Sequence, residues 1–267
     1  MSGFASTRLE PASGGGLRGA VRAEWSKTWS VRSTWWCLLA GGVLMGLGAV
    51  QFSIFTVNAN GNDDPSDDKG VVAVGLIPMA ALDLVQYALI GLAMLLITAE
   101  YAGGVIRTTL QWVPRRGVML LAKTAVAAVA GGVAGIVLAV LGTAVAVPML
   151  GRWGRFEVAG WLGDILAVGC YIALISVFTL GLGAALRSGV GTLIAVFLLL
   201  AVLPAVLQAS DVTVLERAAG YLPGVAGASF MRGENEAYPS WVGLPILACW
   251  AAAAVAAGYA TLRRRDA

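Results

Sequence analysis

The sequence predicts an all-α, polytopic membrane protein with six transmembrane helices. Of its 267 residues, 58% are hydrophobic and the mean hydropathy is +0.81, which is more apolar surface than a soluble domain of this length buries. Six apolar stretches reach the roughly 20 residues that a helix needs to cross a bilayer. None shows the period-2 alternation of barrel strands, so helices are the structures that satisfy the backbone in lipid.

The six spans are predicted at 35–57, 71–98, 118–147, 161–186, 190–208 and 241–262. They form one transmembrane domain over 17–267, and the Gly- and Ser-containing segment 1–16 is expected to be a disordered tail. Only the three residues 187–189 separate spans four and five, which predicts an antiparallel hairpin. Pro78 and Pro204 are candidate helix kinks.

An interfacial helix is predicted before the first span, over 17–34. Its apolar residues recur every four positions at Leu17, Val21, Trp25 and Trp29. Tryptophans beside Arg and Lys are typical of the lipid headgroup region, so the helix would lie on the membrane and end at Trp35 and Trp36. A simple positively charged flank of the first span is the alternative.

The basic residues predict that both termini are cytoplasmic. Thirteen of the 18 Lys and Arg residues, Lys123 among them, fall on the side of the termini in the six-span topology. The other five are Lys69, Arg152, Arg155, Arg217 and Arg232. The loop 58–70 carries four aspartates and one lysine, which suits the external side. A net charge of +3 then reflects topology and does not indicate a nucleic-acid partner.

Small residues predict close contacts between helices. Gly42 with Gly46, and Gly131 with Gly135, form two GxxxG patterns that let helix backbones approach. The segment 209–240 is rich in Pro, Gly and apolar residues, which favours one or two short helices, partly re-entrant, over a solvated loop. Cys37, Cys170 and Cys249 show no metal-ligand spacing and are expected to be small buried hydrophobes.

Several classes of function are excluded by what the sequence lacks. It has no histidine, and so neither the commonest general base nor the usual zinc ligand. It has no G-x-x-x-x-G-K-[ST] motif, so any ATP would be bound by another chain. We therefore predict no catalytic residues, no metal site and no bound cofactor.

Two polar residues lie within the second predicted span. Asp83 and Gln86 are three positions apart and share a helix face, about mid-way along the span. A carboxylate at membrane depth is costly and marks a functional site or a partner. Two interpretations stay open: a polar contact in a translocation path or proton site, and a hydrogen-bonded aspartate at a helix or subunit interface. Asp164, close to the outer surface, is expected to be solvated.

The segment "TAEYAGGVIRTTLQWVPRRG" (98–117) separates the second and third spans. Ile106, Leu110 and Val113 lie on one helix face, and Pro114 would end that helix. Arg115 and Arg116 follow, where anionic headgroups would attract them. A short amphipathic helix at the membrane surface is predicted, with a plain basic anchor as the alternative.

This segment resembles the loop between spans two and three of type-2 ATP-binding cassette permeases, especially those of high-GC Gram-positive bacteria. The similarity rests on Glu100-Tyr101, Gly104, Ile106 to Leu110 and Pro114 to Arg116. "AEWSKTWSVRSTWW" (23–36) resembles the family's pre-span helix. "YLPGVAGAS" (221–229) resembles its motif between spans five and six, although Gly224 and Val225 stand where a polar pair is usual.

The resemblance implies the permease subunit of a bacterial exporter. Two permease chains would work with two separate ATPase chains, which would bind ATP and Mg²⁺. The ATPase-coupling residues would be Glu100, Arg107, Thr108, Leu110, Arg115 and Arg116. The connecting helix would include Glu24, Trp25, Lys27 and Arg32. Localisation in the cytoplasmic membrane follows, and drug or peptide efflux is among the functions of such exporters.

Three other functions remain open. A proton-coupled secondary transporter would use Asp83 as a proton site, with Asp164 as a second candidate, but the sequence shows no internal inverted repeat. A membrane-embedded enzyme would need clustered acids or metal ligands at membrane depth. A peptide-binding immunity or scaffold protein is not separable from an exporter by sequence.

Overall fold

The computed structural model describes residues 16–102, 116–210, 212–233 and 237–264. These residues form ten α-helices. The bounds are α1 Gly16–Ser30, α2 Arg32–Ala59, α3 Leu76–Ala102, α4 Arg116–Leu150, α5 Val158–Leu186, α6 Gly189–Phe197, α7 Leu203–Gln208, α8 Thr213–Ala219, α9 Pro223–Arg232 and α10 Ser240–Arg264.

Six membrane-length helices within the described ranges confirm the predicted multi-pass, all-α fold. Helices α2, α3, α4, α5 and α10 are each long and apolar enough to cross a bilayer. The sixth span, Gly189–Gln208, consists of α6, a π-helical segment over Leu198–Val202, and α7. The predicted bounds agree to within a few residues except at the start of the second span, which begins at Leu76 and not at residue 71.

The late start of α3 has a local cause. Val72 and Ala73 form a two-residue strand, β1, paired in parallel with β2, Gly154–Arg155. This pairing satisfies backbone groups that would otherwise begin the helix. Asp83 is consequently the eighth residue of α3, about 10 Å from its start at 1.5 Å per residue, and the expectation that it lies mid-span is wrong. Pro78 falls in the first turn of α3, where proline fits without a kink.

The two ends of the bundle are distinguished by what lies there. One end, called the α1 end, carries α1, the end of α3, the start of α4 and the end of α10. The Arg116 guanidinium donates to the Leu262 carbonyl there. The opposite end, called the loop end, carries the 60–75 loop and β2. Its loop is closed by Asn60, whose Oδ1 accepts from the Lys69 and Gly70 N–H groups at 2.7 and 2.8 Å.

One titrating group stands out in the 60–75 loop. The Ser66 hydroxyl donates to Asp64 Oδ1 at 2.7 Å, and the Ser66 N–H donates to the same oxygen at 3.0 Å. These hydrogen bonds, the side-chain one first, lower the pKa of Asp64. Asp64 remains fully exposed and charged, as expected for a solvent-facing loop.

Helix α5 lies at the centre of the bundle. It packs most extensively against α10 and α4, and it also contacts α3 and α6. The predicted hairpin at 187–189 is confirmed: α5 ends at Leu186, Arg187 adopts a left-handed conformation with φ of 55°, and Ser188 caps α6. Its hydroxyl oxygen accepts from the Gly191 N–H at 3.2 Å.

The two GxxxG predictions have opposite outcomes. A Cβ at Gly131 would lie 2.2 Å from Ser176 Oγ, and one at Gly135 would lie 3.1 Å from Ile172, so these glycines seat α4 on α5. In α2 the prediction is wrong for packing inside this chain. Gly46 has nothing within 4 Å, and Gly48 instead meets Ala81, with 2.7 Å between the would-be Cβ and the Ala81 Cβ.

The predicted pre-span helix divides in two. Val31 is extended, with φ of −92° and ψ of 129°, so α1 ends at Ser30 and α2 begins at Arg32. The α1 face that packs on the bundle consists of Ala20, Glu24 and Thr28. The apolar stripe from Leu17 to Trp29 is adjacent to this face and remains partly or largely exposed.

Two further expectations concern the cysteines and the 209–240 segment. Cys170 and Cys249 are exposed at the surface of the chain and Cys37 is half-buried, so their predicted burial is wrong. Outward-facing cysteines are compatible with a bundle whose surroundings are apolar.

The described part of 209–240 contains two short helices, as predicted, namely α8 and α9. Residues 1–15 of the predicted tail lie outside the described residues.

Candidate functional site

Four charged side chains meet at the α1 end and form what we call the ionic cluster. Its members are Glu24 and Lys27 from α1, Glu100 near the end of α3, and Lys123 in the second turn of α4. Lys123 has a side-chain exposure of 0% and Glu100 of 3%, whereas Lys27 is 42% exposed. Two acids and two lysines give the cluster a formal charge of zero.

Lys123 is fully hydrogen-bonded at the centre of this cluster. An ammonium group has three N–H donors and no acceptor. Lys123 Nζ donates to Glu24 Oε2 at 2.7 Å, to Glu100 Oε1 at 2.6 Å and to the Leu96 carbonyl at 3.1 Å. All three donors are therefore used, which offsets the cost of placing a charge where water does not reach.

Glu100 connects Lys123 to α1. Its Oε1 also accepts from Lys27 Nζ, so one carboxylate oxygen bridges two lysines. Its Oε2 is buried and has no hydrogen-bond partner among the described residues. The carboxylate faces the inside of the chain, where a partner protein cannot contact it. If Glu100 contributes to coupling, it does so by holding α1 in position.

The ionic cluster joins the flanks of the 103–115 segment. Glu100 lies just before this segment and Lys123 lies shortly after it, and both are paired to α1. A mainly apolar cavity of about 150 Å³ lies beside Glu24, Lys27 and Glu100, with leucines of α3 on its other wall. The sequence placed these residues on one side of the membrane but did not predict that they touch.

The other predicted coupling and connecting residues are placed as follows. Trp25 and Arg32 are exposed, and Trp25 contacts the Trp29 ring with 5.6 Å between centroids. Arg116 is half-buried at the first turn of α4 and bonds the last turn of α10. The remaining predicted coupling residues lie outside the described residues; they are Arg107, Thr108, Leu110 and Arg115.

The second polar group surrounds Asp83 and Gln86, in what we call the loop-end cavity. It measures about 340 Å³, and its walls come from α3, α5, the π-helical segment and α9. Asp83 Oδ1 accepts from Arg232 Nη1 at 3.2 Å, and the same nitrogen donates to the Met79 carbonyl at 3.2 Å. The Asp83 side chain is 66% exposed.

Gln86 is buried against α5. Its Oε1 accepts from the Tyr171 hydroxyl at 2.5 Å, and its Nε2 donates to the Asp83 carbonyl at 3.0 Å. Asp83 and Gln86 thus share one wall of the cavity, as their spacing predicted. The sequence did not predict Tyr171, Ser229 or Arg232 here, because the first was one apolar-span residue among many and the other two were assigned to an external segment.

A glycine allows α9 to pack closely against the π-helical segment in the wall of this cavity. A Cβ at Gly224 would lie 2.2 Å from the Leu200 carbonyl oxygen. Leu200 lies in the π-helical segment, four residues before Pro204, which has no N–H to offer that oxygen. A glycine at 224 is what lets α9 approach. The presence of glycine at position 224 therefore has a packing reason.

The sequence predicts no metal site and no catalytic site. The described ranges contain no group of three His, Cys, Asp or Glu residues that could hold a metal ion. Asp164 lies near the start of α5, beside the Gly75 backbone, and a Cβ on that glycine would meet the Asp164 carboxylate.

Comparison with known proteins gives no relative. No protein-family model matches the chain, and no curated protein matches its sequence.

Proposed function

We propose that this chain is the membrane-spanning subunit of a bacterial ATP-binding cassette exporter. In this proposal the α1 end faces the cytoplasm, both termini are inside, and a second permease chain and two ATPase chains complete the transporter. ATP and Mg²⁺ would be bound by the ATPases. This chain would break no bonds itself.

The ionic cluster is the observation that supports this proposal most. A soluble motor can transmit force only through an element that does not move independently of the membrane helices. Here α1 and both flanks of the 103–115 segment are joined by ion pairs centred on the buried side chains of Glu100 and Lys123. Because α3 and α4 continue from those flanks, a displacement at the surface would be passed on to two spans together.

The experiment is co-purification from the native host. The tagged chain should retain an ATPase that carries a P-loop and is identified by mass spectrometry. The double variant Arg107→Glu, Leu110→Asp should insert normally but lose that ATPase, because it reverses one charge and places another in an apolar groove, at a cost of several kcal/mol. The ATP hydrolysis of the purified complex should be lost in parallel.

Two results would count against the proposal. Transport by the purified chain alone that a proton gradient drives and an uncoupler abolishes would contradict it as a whole and would indicate a secondary transporter. An intact and active complex with the double variant would contradict the coupling role of the 103–115 segment, which would then be a basic membrane anchor. The variant Asp63→Asn, in the exposed loop, is the control for a general effect of a charge change.

A further inference from the structure

The loop-end cavity contains a buried polar atom that the protein itself does not satisfy. Ser229 is 1% exposed, lines the cavity, and its Oγ has no hydrogen-bond partner among the described residues. Many buried hydroxyls bond a neighbouring carbonyl, as those of Thr28, Thr98 and Thr143 do here. The hydroxyls of Ser53, Tyr101 and Thr179 also have no described partner, but they do not line this cavity. A buried hydroxyl without a partner loses its hydration and gains no hydrogen bond in exchange, so one that lines a cavity points to an occupant there.

Acceptor atoms remain open beside Asp83 and Gln86. Asp83 accepts at Oδ1 from Arg232, and no described residue donates to its Oδ2. Gln86 Oε1 accepts one hydrogen bond, from Tyr171, and a carbonyl oxygen can accept two. Arg232 Nη1, on the cationic group of the wall, already donates to Asp83 and Met79. The Tyr87 hydroxyl and the Gln208 amide also line the cavity and can donate, but a group seated against Asp83, Gln86 and Ser229 meets acceptors and must supply donors.

The opposite wall is apolar. It is built by the π-helical segment and α9, through Leu200, Ala201, Val225, Ala228 and Met231. The Tyr87 ring also lines the cavity and packs on Phe197 with 5.6 Å between centroids. An aromatic face attracts a cation, and a volume of about 340 Å³ is at the small end of the range for ligand pockets, about 300–1,000 Å³.

We propose that the loop-end cavity binds a primary alkylammonium group, that is, a protonated amine on an apolar body. The ammonium would donate to Asp83, Gln86 and Ser229, and the apolar body would lie against Leu200 and α9. A free amphiphilic amine and the ethanolamine headgroup of a phospholipid share this chemistry. The site lies within one chain, so the inference does not depend on an ATPase partner.

Binding of decylamine to the purified full-length chain in a nonionic detergent tests this proposal. Protonated decylamine should bind more tightly than decanol, which lacks the charge, and than decyltrimethylammonium, which lacks N–H donors. Ser229→Ala should weaken decylamine binding about threefold or more, and Asp83→Asn about tenfold, as expected for one neutral and one charge-assisted hydrogen bond. Asp63→Asn should leave the affinity for decylamine unchanged. All variants are compared in the same micelles, so partition of the ligand into detergent is the same for each.

Nanodiscs identify the source of the ammonium. Phosphatidylethanolamine that displaces decylamine from the wild-type chain, where phosphatidylcholine does not, identifies the lipid headgroup as the ligand. If phosphatidylethanolamine does not displace decylamine, the ligand is a free amine. Equal binding of decylamine, decanol and the quaternary compound would overturn the proposal, and so would decylamine binding that neither Ser229→Ala nor Asp83→Asn alters. Because every measurement uses this chain alone, its failure is distinguishable from failure of the exporter proposal.

Discussion

At the scale of single residues, the ionic cluster depends on Lys123. A lysine with no solvent exposure is tolerated because its three donors meet two carboxylates and one carbonyl. Buried ion pairs contribute little net stability when complete, since desolvation offsets their attraction. Removing one partner is different, because the remaining charges are then buried and unpaired.

Lys123→Met should therefore destabilise the chain by about 3–5 kcal/mol, because Glu24 and Glu100 lose their shared cation. Unfolding in mixed micelles of increasing SDS content measures the change. Adding Glu24→Gln and Glu100→Gln to Lys123→Met should recover a large part of the loss, since no buried charge is then left without a partner.

Lys69→Met is the matched control, because it removes an exposed lysine from the 60–75 loop and should shift the free energy of unfolding by less than about 1 kcal/mol. If Lys123→Met were as stable as the wild-type chain, the cluster would not hold α1 in place. The support that it lends to the exporter proposal would then be lost.

At the scale of elements, small residues decide which helix faces meet. Gly131 brings α4 against Ser176 of α5, whereas a Cβ at Gly46 of α2 would meet no atom within 4 Å. Both glycines belong to GxxxG patterns, and the pattern alone does not distinguish them. The neighbouring helix distinguishes them, because α5 lies close to Gly131 and no helix of the described residues lies as close to Gly46.

Gly131→Ala should destabilise the chain by about 1–3 kcal/mol, the usual cost of overpacking a well-packed contact. Gly46→Ala should be neutral or stabilising by up to about 1 kcal/mol, because alanine favours the helix and no atom lies in its way. The same SDS titration compares the two. A destabilisation by Gly46→Ala equal to that of Gly131→Ala would contradict this account of α2.

A second element-scale prediction concerns the contact between α9 and the π-helical segment. Gly224→Ala should displace α9 from the Leu200 carbonyl, again at about 1–3 kcal/mol, and should weaken decylamine binding in the loop-end cavity. Gly160→Ala, in α5 with nothing within 4 Å, is the control for an added methyl group. Wild-type binding by Gly224→Ala would show that α9 does not shape the cavity.

At the scale of the whole molecule, the distribution of charge predicts orientation. Loop-end residues such as Asp64 should face the outside and α1 should face the cytoplasm. In a variant without the three native cysteines, Asp64→Cys should react with a membrane-impermeant maleimide in intact cells, and Ser26→Cys should not. Ser26 is an exposed position on α1, so lack of reaction there cannot result from burial in the chain.

Ser26→Cys should react once the membrane is permeabilised, which checks that the thiol is accessible. Reaction of Ser26→Cys in intact cells, with protection of Asp64→Cys, would place the α1 end outside. That result would contradict the exporter proposal, because no cytoplasmic ATPase could then reach the 103–115 segment.

The sequence by itself determined the class of fold. Apolar stretches of membrane length give six spans because, in lipid, each helix satisfies its own backbone and needs no information from distant residues. The hairpin at 187–189 and the two helices of 209–240 followed for the same reason. Asp83 and Gln86 were identified as a pair because helix periodicity places residues three apart on one face.

Only the tertiary structure shows which charges meet, and it adds Lys123 and Arg232 to the candidate residues. In the sequence, Lys123 is one of many basic residues on the side of the termini, although it follows two leucines and an alanine in an apolar run. Its partners are 99 and 23 residues away in the chain. Arg232 meets Asp83 across 149 residues. Contacts at such separations depend on how the helices pack against one another, and packing is a property of facing surfaces that the local pattern of one helix does not specify.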